Sequence, residues 1–522
     1  MSQAGLSRLK GTNDRPSELE VLQVREIQTE AQKKLDIIEA RLDEELEGHS
    51  TLEILERNGA ALRKTIELCQ SILSATRQLP PEILTQIFLF SLPSMEEARR
   101  MEWDQSLQKS PWVLCHVCSR WRAVALASPA LWTLILVQPV KDDDGDPCSV
   151  AMIEAQISRS GNSPLDIIFD YEPWRGDTYA ADEAIKLLAR CSTRWRSLSI
   201  TGCYLKELPR IRGRVPLLEN LFVGNVGEDE EYGDTPPPNY LDHFQIAPRL
   251  RYLEVEACSP YFKVPWGTLT RYVAEGSWAA HISALTQLEN LESCRLMISH
   301  ETDLDDPFTW GNKTVQLARL RRVELSCQRV DSGEYWSWPQ WLSLPALTEL
   351  SINGTMFRGL ARLIQDSKCS LKRLYITRGA PDRELTLPVF QSSPHITELV
   401  ICLIDRFLST GRANNSIPLI SLLTIEPNTP VLLPQLKDLV IVHPGKAEED
   451  IARMLVTRWN TSLENQSIAR LRSLRLVEGD PQSHNLIQTL DAMKERGVAV
   501  VRSPREYQER NRGDADEAFV IY

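Results

Sequence analysis

From Trp195 to Leu476 one hydrophobic pattern returns twelve times: apolar-x-x-apolar-x-apolar. It reads WRSLSI, LENLFV, LRYLEV, LTRYVA, LESCRL, LRRVEL, LTELSI, LKRLYI, ITELVI, ISLLTI, LKDLVI and LRSLRL, ending at Ile200, Val223, Val255, Ala274, Leu296, Leu325, Ile352, Ile376, Ile401, Ile425, Ile441 and Leu476. The last three positions alternate, as in a strand with one buried face. The units recur about every 25 residues, inside the range of strand-plus-helix repeats. Helical stretches are predicted between them at 359–366, 450–459 and 485–496. Each such unit buries its apolar positions only by stacking on its neighbours, so the pattern predicts an α/β solenoid with parallel strands over residues 150–505.

The chain before the repeats has other textures. Residues 1–76 are polar and helix-favouring. Leu35, Ile38 and Leu42 form a short coiled-coil seam, and Leu52, Leu55, Leu62, Ile66, Cys69 and Leu73 make a second run. Gly48 and Gly59 interrupt, so two or three amphipathic helices are expected. They either fold back as a hairpin or self-associate through the seam. Residues 77–137 form a compact helical module. LPPEILTQIF opens with prolines, which the first turn of a helix tolerates, and Ile83, Leu84, Ile87 and Phe88 follow at helical spacing. In PWVLCHVCSRWRAVALASPALW, Leu114, Val117, Cys118, Trp121 and Ala125 share a helical face. A module this small buries little apolar surface alone and is expected to rest on a neighbour or partner. Residues 138–149 form an acidic linker and 506–522 a C-terminal tail.

With 42% apolar and 25% charged residues in 522, this is the composition of a folded chain of several domains or a repeat array. The net charge of −12 disfavours nucleic acid, and the densest basic run, Arg319, Arg321 and Arg322, is interrupted by apolar repeat positions. Neither a membrane-spanning run nor the apolar core of a secretion signal is read. The eleven cysteines show no pairing framework, which fits reduced thiols in a cytoplasmic or nuclear protein.

LPPEILTQIF combined with VCSRWRAVALASPALW resembles the F-box, in particular the F-box-like segment of large fungal families. There a helical N-terminus, an F-box and degenerate leucine-rich repeats come in the same order. ISRSGNSPLDIIFDY resembles their junction into the repeats, and Cys203 and Cys258 fall where the repeat consensus has Cys or Asn. The resemblance implies a substrate-recognition adaptor of an SCF-type ubiquitin ligase, whose module docks a Skp-type adaptor and through it a cullin. The implied adaptor contacts are Leu79, Pro80, Ile83, Leu84, Ile87 and Phe88, with Val117, Cys118, Trp121 and Leu131 completing or supporting the fold. The segment between the two motif halves is longer than in the family's short form. An alternative is a repeat-based interaction scaffold not coupled to a ligase.

Other chemistry finds little support. Cys115 and Cys118 form a C-x-x-C, but no second ligand pair exists to complete a zinc site, and core packing explains them. The eight histidines are dispersed, and no nucleophile elbow or phosphate loop is present. Carboxylate runs sit in linker-like contexts. A hydrolase or transferase in the C-terminal half would need a buried charged cluster; the expectation is no enzyme, no metal and no cofactor. Two insertions stand out between repeats: the acidic, Pro-rich 227–240, and 331–341 with Tyr335, Trp336, Trp338 and Trp341. These aromatics are the candidate cargo contacts, with packing under a neighbouring repeat as the competing role.

Overall fold

The computed structural model describes Leu9, 12–43, 49–101, 109–137, 150–170, 178–201, Leu208, 211–224, 242–256, 262–298, 314–327, 342–377, 381–402, 416–442, 447–477 and 482–503, apart from Ser277, Asn428 and Gln466. The chain divides into two compact units, one of Met1–Phe169 with Arg175–Leu187, the other of Asp170–Trp174 with Leu188–Tyr522.

The first unit begins with helices Glu18–Asp43 and His49–Ile72 packed against each other. Ala31, Leu35 and Ile66 form one small core and Val24, Cys69 and Ile72 another, the second including Leu9. Arg63 ties across to Glu39 at 2.8 Å. Gly59 does not interrupt its helix. It is buried, and a Cβ there would lie 3.6 Å from Ile38 and 3.8 Å from Leu35, so the small residue marks where the helices approach closely. The helical module follows, and then strands β1 (Leu134–Val137) and β2 (Leu165–Asp170), which pair in parallel.

The second unit carries β3 (Trp195–Thr201), β4 (Asn220–Val223), β5 (Tyr252–Val255), β6 (Arg271–Gly276), β7 (Ser293–Ile298), β8 (Val315–Gln316), β9 (Arg322–Cys327), β10 (Leu342–Ser343), β11 (Glu349–Ile352), β12 (Arg373–Ile376), β13 (Glu398–Cys402), β14 (Asp438–Val442), β15 (Ser473–Val477) and β16 (Ala499–Ser503). All but β8 and β10, which pair with each other, join one parallel sheet in sequence order. Eleven of the twelve hexads end in these strands. Their final apolar residues are direct partners: Leu325 faces Ile352, which faces Ile376, then Ile401, Ile441 and Leu476. Ile352, Ile376 and Ile401 are fully buried on adjacent strands. Constant register is what stacking identical units demands, because a one-residue slip would turn every apolar side chain to the other face.

The exception is ISLLTI, most of which lies in helix Ser416–Leu423. Its apolar-x-x-apolar start also fits a helix, and Leu419, Ile420, Leu422 and Leu423 are buried there together. The other predicted helices stand as Leu360–Ser367, Glu448–Glu464 and His484–Glu495. Together with Arg383–Ser392 and Ser416–Leu423 they pack in succession, each on the next. The result is an α/β, solenoid-like arrangement of parallel strands.

Helix Trp278–Leu285 buries His281 completely. Burial pushes its pKa down to about 4, only partly offset by backbone contacts with Met297 and Gly276. Unfolded, the imidazole takes up a proton near pH 6.5, whereas folded it stays neutral to about 4. Between those values the unfolded state binds more protons, so stability falls as pH drops. Lowering the pH from 7 to 5 should therefore destabilise this region by about 2 kcal/mol more in the wild type than in His281→Leu. Urea midpoints of both proteins at the two pH values check this; equal pH dependence would refute it.

Candidate functional site

The helical module exposes six large apolar side chains, Ile83, Ile87, Phe90, Val113, Val117 and Leu126. The chain enters it through Arg77, a buried guanidinium that donates to the Leu9 carbonyl at 3.0 Å and to Ser71 Oγ at 3.3 Å. Burial lowers the pKa of Arg77, with Cys118 and Asp14 opposing the shift. Helix Pro81–Ser91 then starts with Pro81 in its first turn. Its two faces separate cleanly. Leu84 and Phe88, four apart, are buried in a core with Cys115, Val124, Ala125, Leu131 and Trp132. Ile83, Ile87 and Phe90, spaced four and three, are 46%, 45% and 88% exposed.

The second motif half differs from the single helical face expected. Helix Pro111–Val117 ends where Cys118 turns extended, and Ser119–Leu126 begins a new helix. Cys118 Sγ accepts the Trp121 N–H at 3.4 Å and so caps that helix. The break turns Val117 outward, 49% exposed, with Val113 one turn before it also exposed. Trp121 is half-buried against Phe88, ring centroids 4.8 Å apart. Leu79 packs half-buried on the core, while Pro80 is exposed. Of the residues expected to meet an adaptor, Leu84 and Phe88 are therefore committed to the module's own core, together with Leu131, which was expected to complete or support the fold. Pro80, Ile83, Ile87 and Val117 face solvent. Phe90 and Val113, not singled out by the pattern, join them.

Three arginines hold this arrangement, two of them through partners remote in sequence. Arg120 donates to the carbonyls of Arg77 and Leu79, clasping the start of the module. Arg122 Nε donates to the Cys115 carbonyl at 2.8 Å. Arg159 lies between two tryptophans, 4.3 Å from the Trp112 ring and 4.4 Å from Trp132, a double cation–π contact. Nothing in the local sequence announces these contacts, because backbone carbonyls and distant rings leave no spacing signature.

Burial raises the pKa of the Cys115 thiol, and nearby Arg159 and Arg122 only moderate this, so it is a packed thiol and not a nucleophile. Among the described residues, no three His, Cys, Asp or Glu side chains gather as a metal site would require, and no helix is long and apolar enough to cross a membrane.

The second unit offers the other candidate surface. In β5, β6, β7 and β9 buried positions alternate with half-buried ones, leaving Glu254, Arg271, Arg295 and Glu324 on the opposite side of the sheet from the apolar ladder. Charges there pair across strands: Arg295 with Glu324 and Arg322 with Glu349, both at 2.7 Å. Arg373 binds both Glu349 and Glu398. Further along, Tyr375, Val400, Val440, Val442 and Val477 replace them with an apolar cluster. Tyr335, Trp336, Trp338 and Trp341 lie outside the described residues. Neither known protein-family models nor curated proteins give a match to this chain.

Proposed function

We propose that the chain is an F-box-like substrate-recognition adaptor, in which the module docks a Skp-type adaptor and the stacked units, read as degenerate leucine-rich repeats, hold protein cargo for a ubiquitin ligase. The observation that carries this reading is the Ile83–Ile87–Phe90 stripe. Its helix is fixed from behind by Leu84 and Phe88, so three large apolar side chains are held out to solvent on a rigid element. Exposed apolar surface concentrated on one small module marks a protein interface. The motif halves that resemble the F-box contain this helix and the clasp around it. Catalysis then belongs to partner enzymes, and the adaptor contributes proximity by raising the effective concentration of cargo near activated ubiquitin.

Ile83→Glu with Ile87→Glu tests this, since both positions are exposed and glutamate suits a helix. Central apolar anchors typically contribute about 2 kcal/mol each, so capture of a Skp-type adaptor should fall by about a thousandfold. The melting curve should not change. Undiminished capture by the folded double variant would end the reading. Whether cullin copurifies with the adaptor separates a ligase component from an uncoupled scaffold.

A further inference from the structure

The residue just before each strand's first sheet-facing position forms a row across the second unit. Its backbone is continuous. Thr348 N–H donates to the Arg321 carbonyl at 2.9 Å, Lys372 to Thr348 at 2.8 Å, Thr397 to Lys372 at 2.8 Å, Lys437 to Thr397 at 2.9 Å and Arg472 to Lys437 at 2.7 Å. Arg, Thr, Lys, Thr, Lys and Arg therefore stand side by side immediately before β9, β11, β12, β13, β14 and β15. Residues 24 to 40 positions apart become neighbours only through the register.

The charges of this row are not balanced locally. One position further in, Arg322 and Arg373 pair with Glu349 and Glu398, and Arg472 of the row itself turns to Asp438 at 2.9 Å. Those carboxylates are occupied. Arg321, Lys372 and Lys437 are exposed and have no carboxylate within ion-pair distance among the described residues. On a chain of net charge −12, three aligned cations without counter-charges stand out as a local reversal of sign. The row ends on the next strand, where Glu292 precedes Arg321 and the sign changes back.

We propose that Arg321, Lys372 and Lys437 bind an extended acidic segment of a protein partner. The inference rests on the reading of the repeats as the cargo-holding part. Neighbouring strands lie about 4.8 Å apart, so cations on alternate strands are about 9.6 Å apart, close to the roughly 9.3 Å rise of one three-residue turn of an extended polyproline II segment, in which every third side chain returns to the same side. Carboxylates at every third residue of a segment running across the strands match that repeat. The intervening Thr348 and Thr397 are small and keep their hydroxyls on the backbone of Arg321 and Lys372, at 3.2 and 3.3 Å, so they leave the row unobstructed. Three cations over some 20 Å are sparse beside the phosphates of nucleic acid, and the rest of an acidic chain repels such a polymer.

The test uses the full-length chain and a labelled nine-residue peptide, (Glu-Ala-Ser)3, with (Gln-Ala-Ser)3 and a nine-nucleotide single-stranded RNA as comparisons. The glutamate peptide should bind in preference to both, and more weakly as salt is added. R321Q/K372Q/K437Q should lower its affinity about tenfold, as three surface ion pairs would, while the melting curve stays unchanged. Equal binding by the triple variant, no preference over the glutamine peptide, or tighter binding of RNA would each overturn the proposal. Capture of a Skp-type adaptor, which the Ile83 and Ile87 changes should abolish, should persist in the triple variant, so failure of the cation row and failure of the adaptor reading are told apart.

Discussion

Trp132→Ala should unfold the helical module while leaving the strands of the second unit protected. The indole is fully buried among Leu84, Phe88, Val124, Ala125 and Leu131. Its Nε1 donates to the Ala125 carbonyl at 2.8 Å, fixing the turn after helix Ser119–Leu126. Its ring meets Trp112 edge-on at 5.0 Å and forms one side of the slot that holds the Arg159 guanidinium. Replacing a buried tryptophan by alanine costs about 3–5 kcal/mol, which is comparable to the whole stability a core of this size supplies. Arg159 would lose half of its cation–π environment as well, and its Nη1 is already buried without a hydrogen-bond partner. Hydrogen exchange should then show helices Pro81–Ser91 and Ser119–Leu126 opened, with β9 to β15 unaffected, since stacked repeats depend on their nearest neighbours. Trp132→Phe keeps a ring in the slot and should lose about half as much or less. Native protection of the module in Trp132→Ala would show that its core lies elsewhere.

How much of this was legible in the sequence depends on where the physical constraint sits. The hexads were readable because strand alternation and a leading buried residue are both local, and stacking makes every unit repeat them. ISLLTI failed because its spacing serves a helix equally well, and the burial that decides between the two is tertiary. The apolar spacing of the module marked helices at 81–91 and 119–126 but merged two faces. Ile83 and Leu84 are adjacent in sequence, yet one is exposed and the other buried, and only the position of Trp132 and Leu131 settles which face is core. The break at Cys118 was hidden because cysteine is not among the usual capping residues. Arg120 and Arg159 were silent for the reason that their partners are carbonyls and rings far along the chain. Arg321, Lys372 and Lys437 were visible as residues, yet their alignment exists only once the register of five strands is known.

Arg458 belongs to the same silent class, and its replacement by leucine should loosen the C-terminal part of the sheet. The side chain is 4% exposed on helix Glu448–Glu464. Its Nε donates to the carbonyl of Leu423 at 2.8 Å, Nη1 to Leu433 at 3.2 Å and Nη2 to Leu432. Leu423 ends helix Ser416–Leu423, where carbonyls lack intrahelical partners and the dipole favours a cation. Leu433 has a left-handed backbone, φ 48°, a conformation a leucine adopts only when its surroundings hold it. Burial lowers the guanidinium pKa to about 10, so it remains charged at neutral pH, and the planar fork serves three acceptors at once. Leucine would fill much of the space but orphan all three carbonyls, at roughly 1–3 kcal/mol each. Relief from burying a charge and entry of water offset part of this, leaving a net loss of about 3 kcal/mol. Arg458→Lys, which keeps the charge but reaches fewer carbonyls, should fall between. Exchange in residues 416–442 and 448–464 is the readout: faster exchange there in Arg458→Leu, with β3 to β7 unchanged, is the expected result. Exchange that is unchanged in both segments would mean that packing of the helices alone holds the turn, and the guanidinium is dispensable.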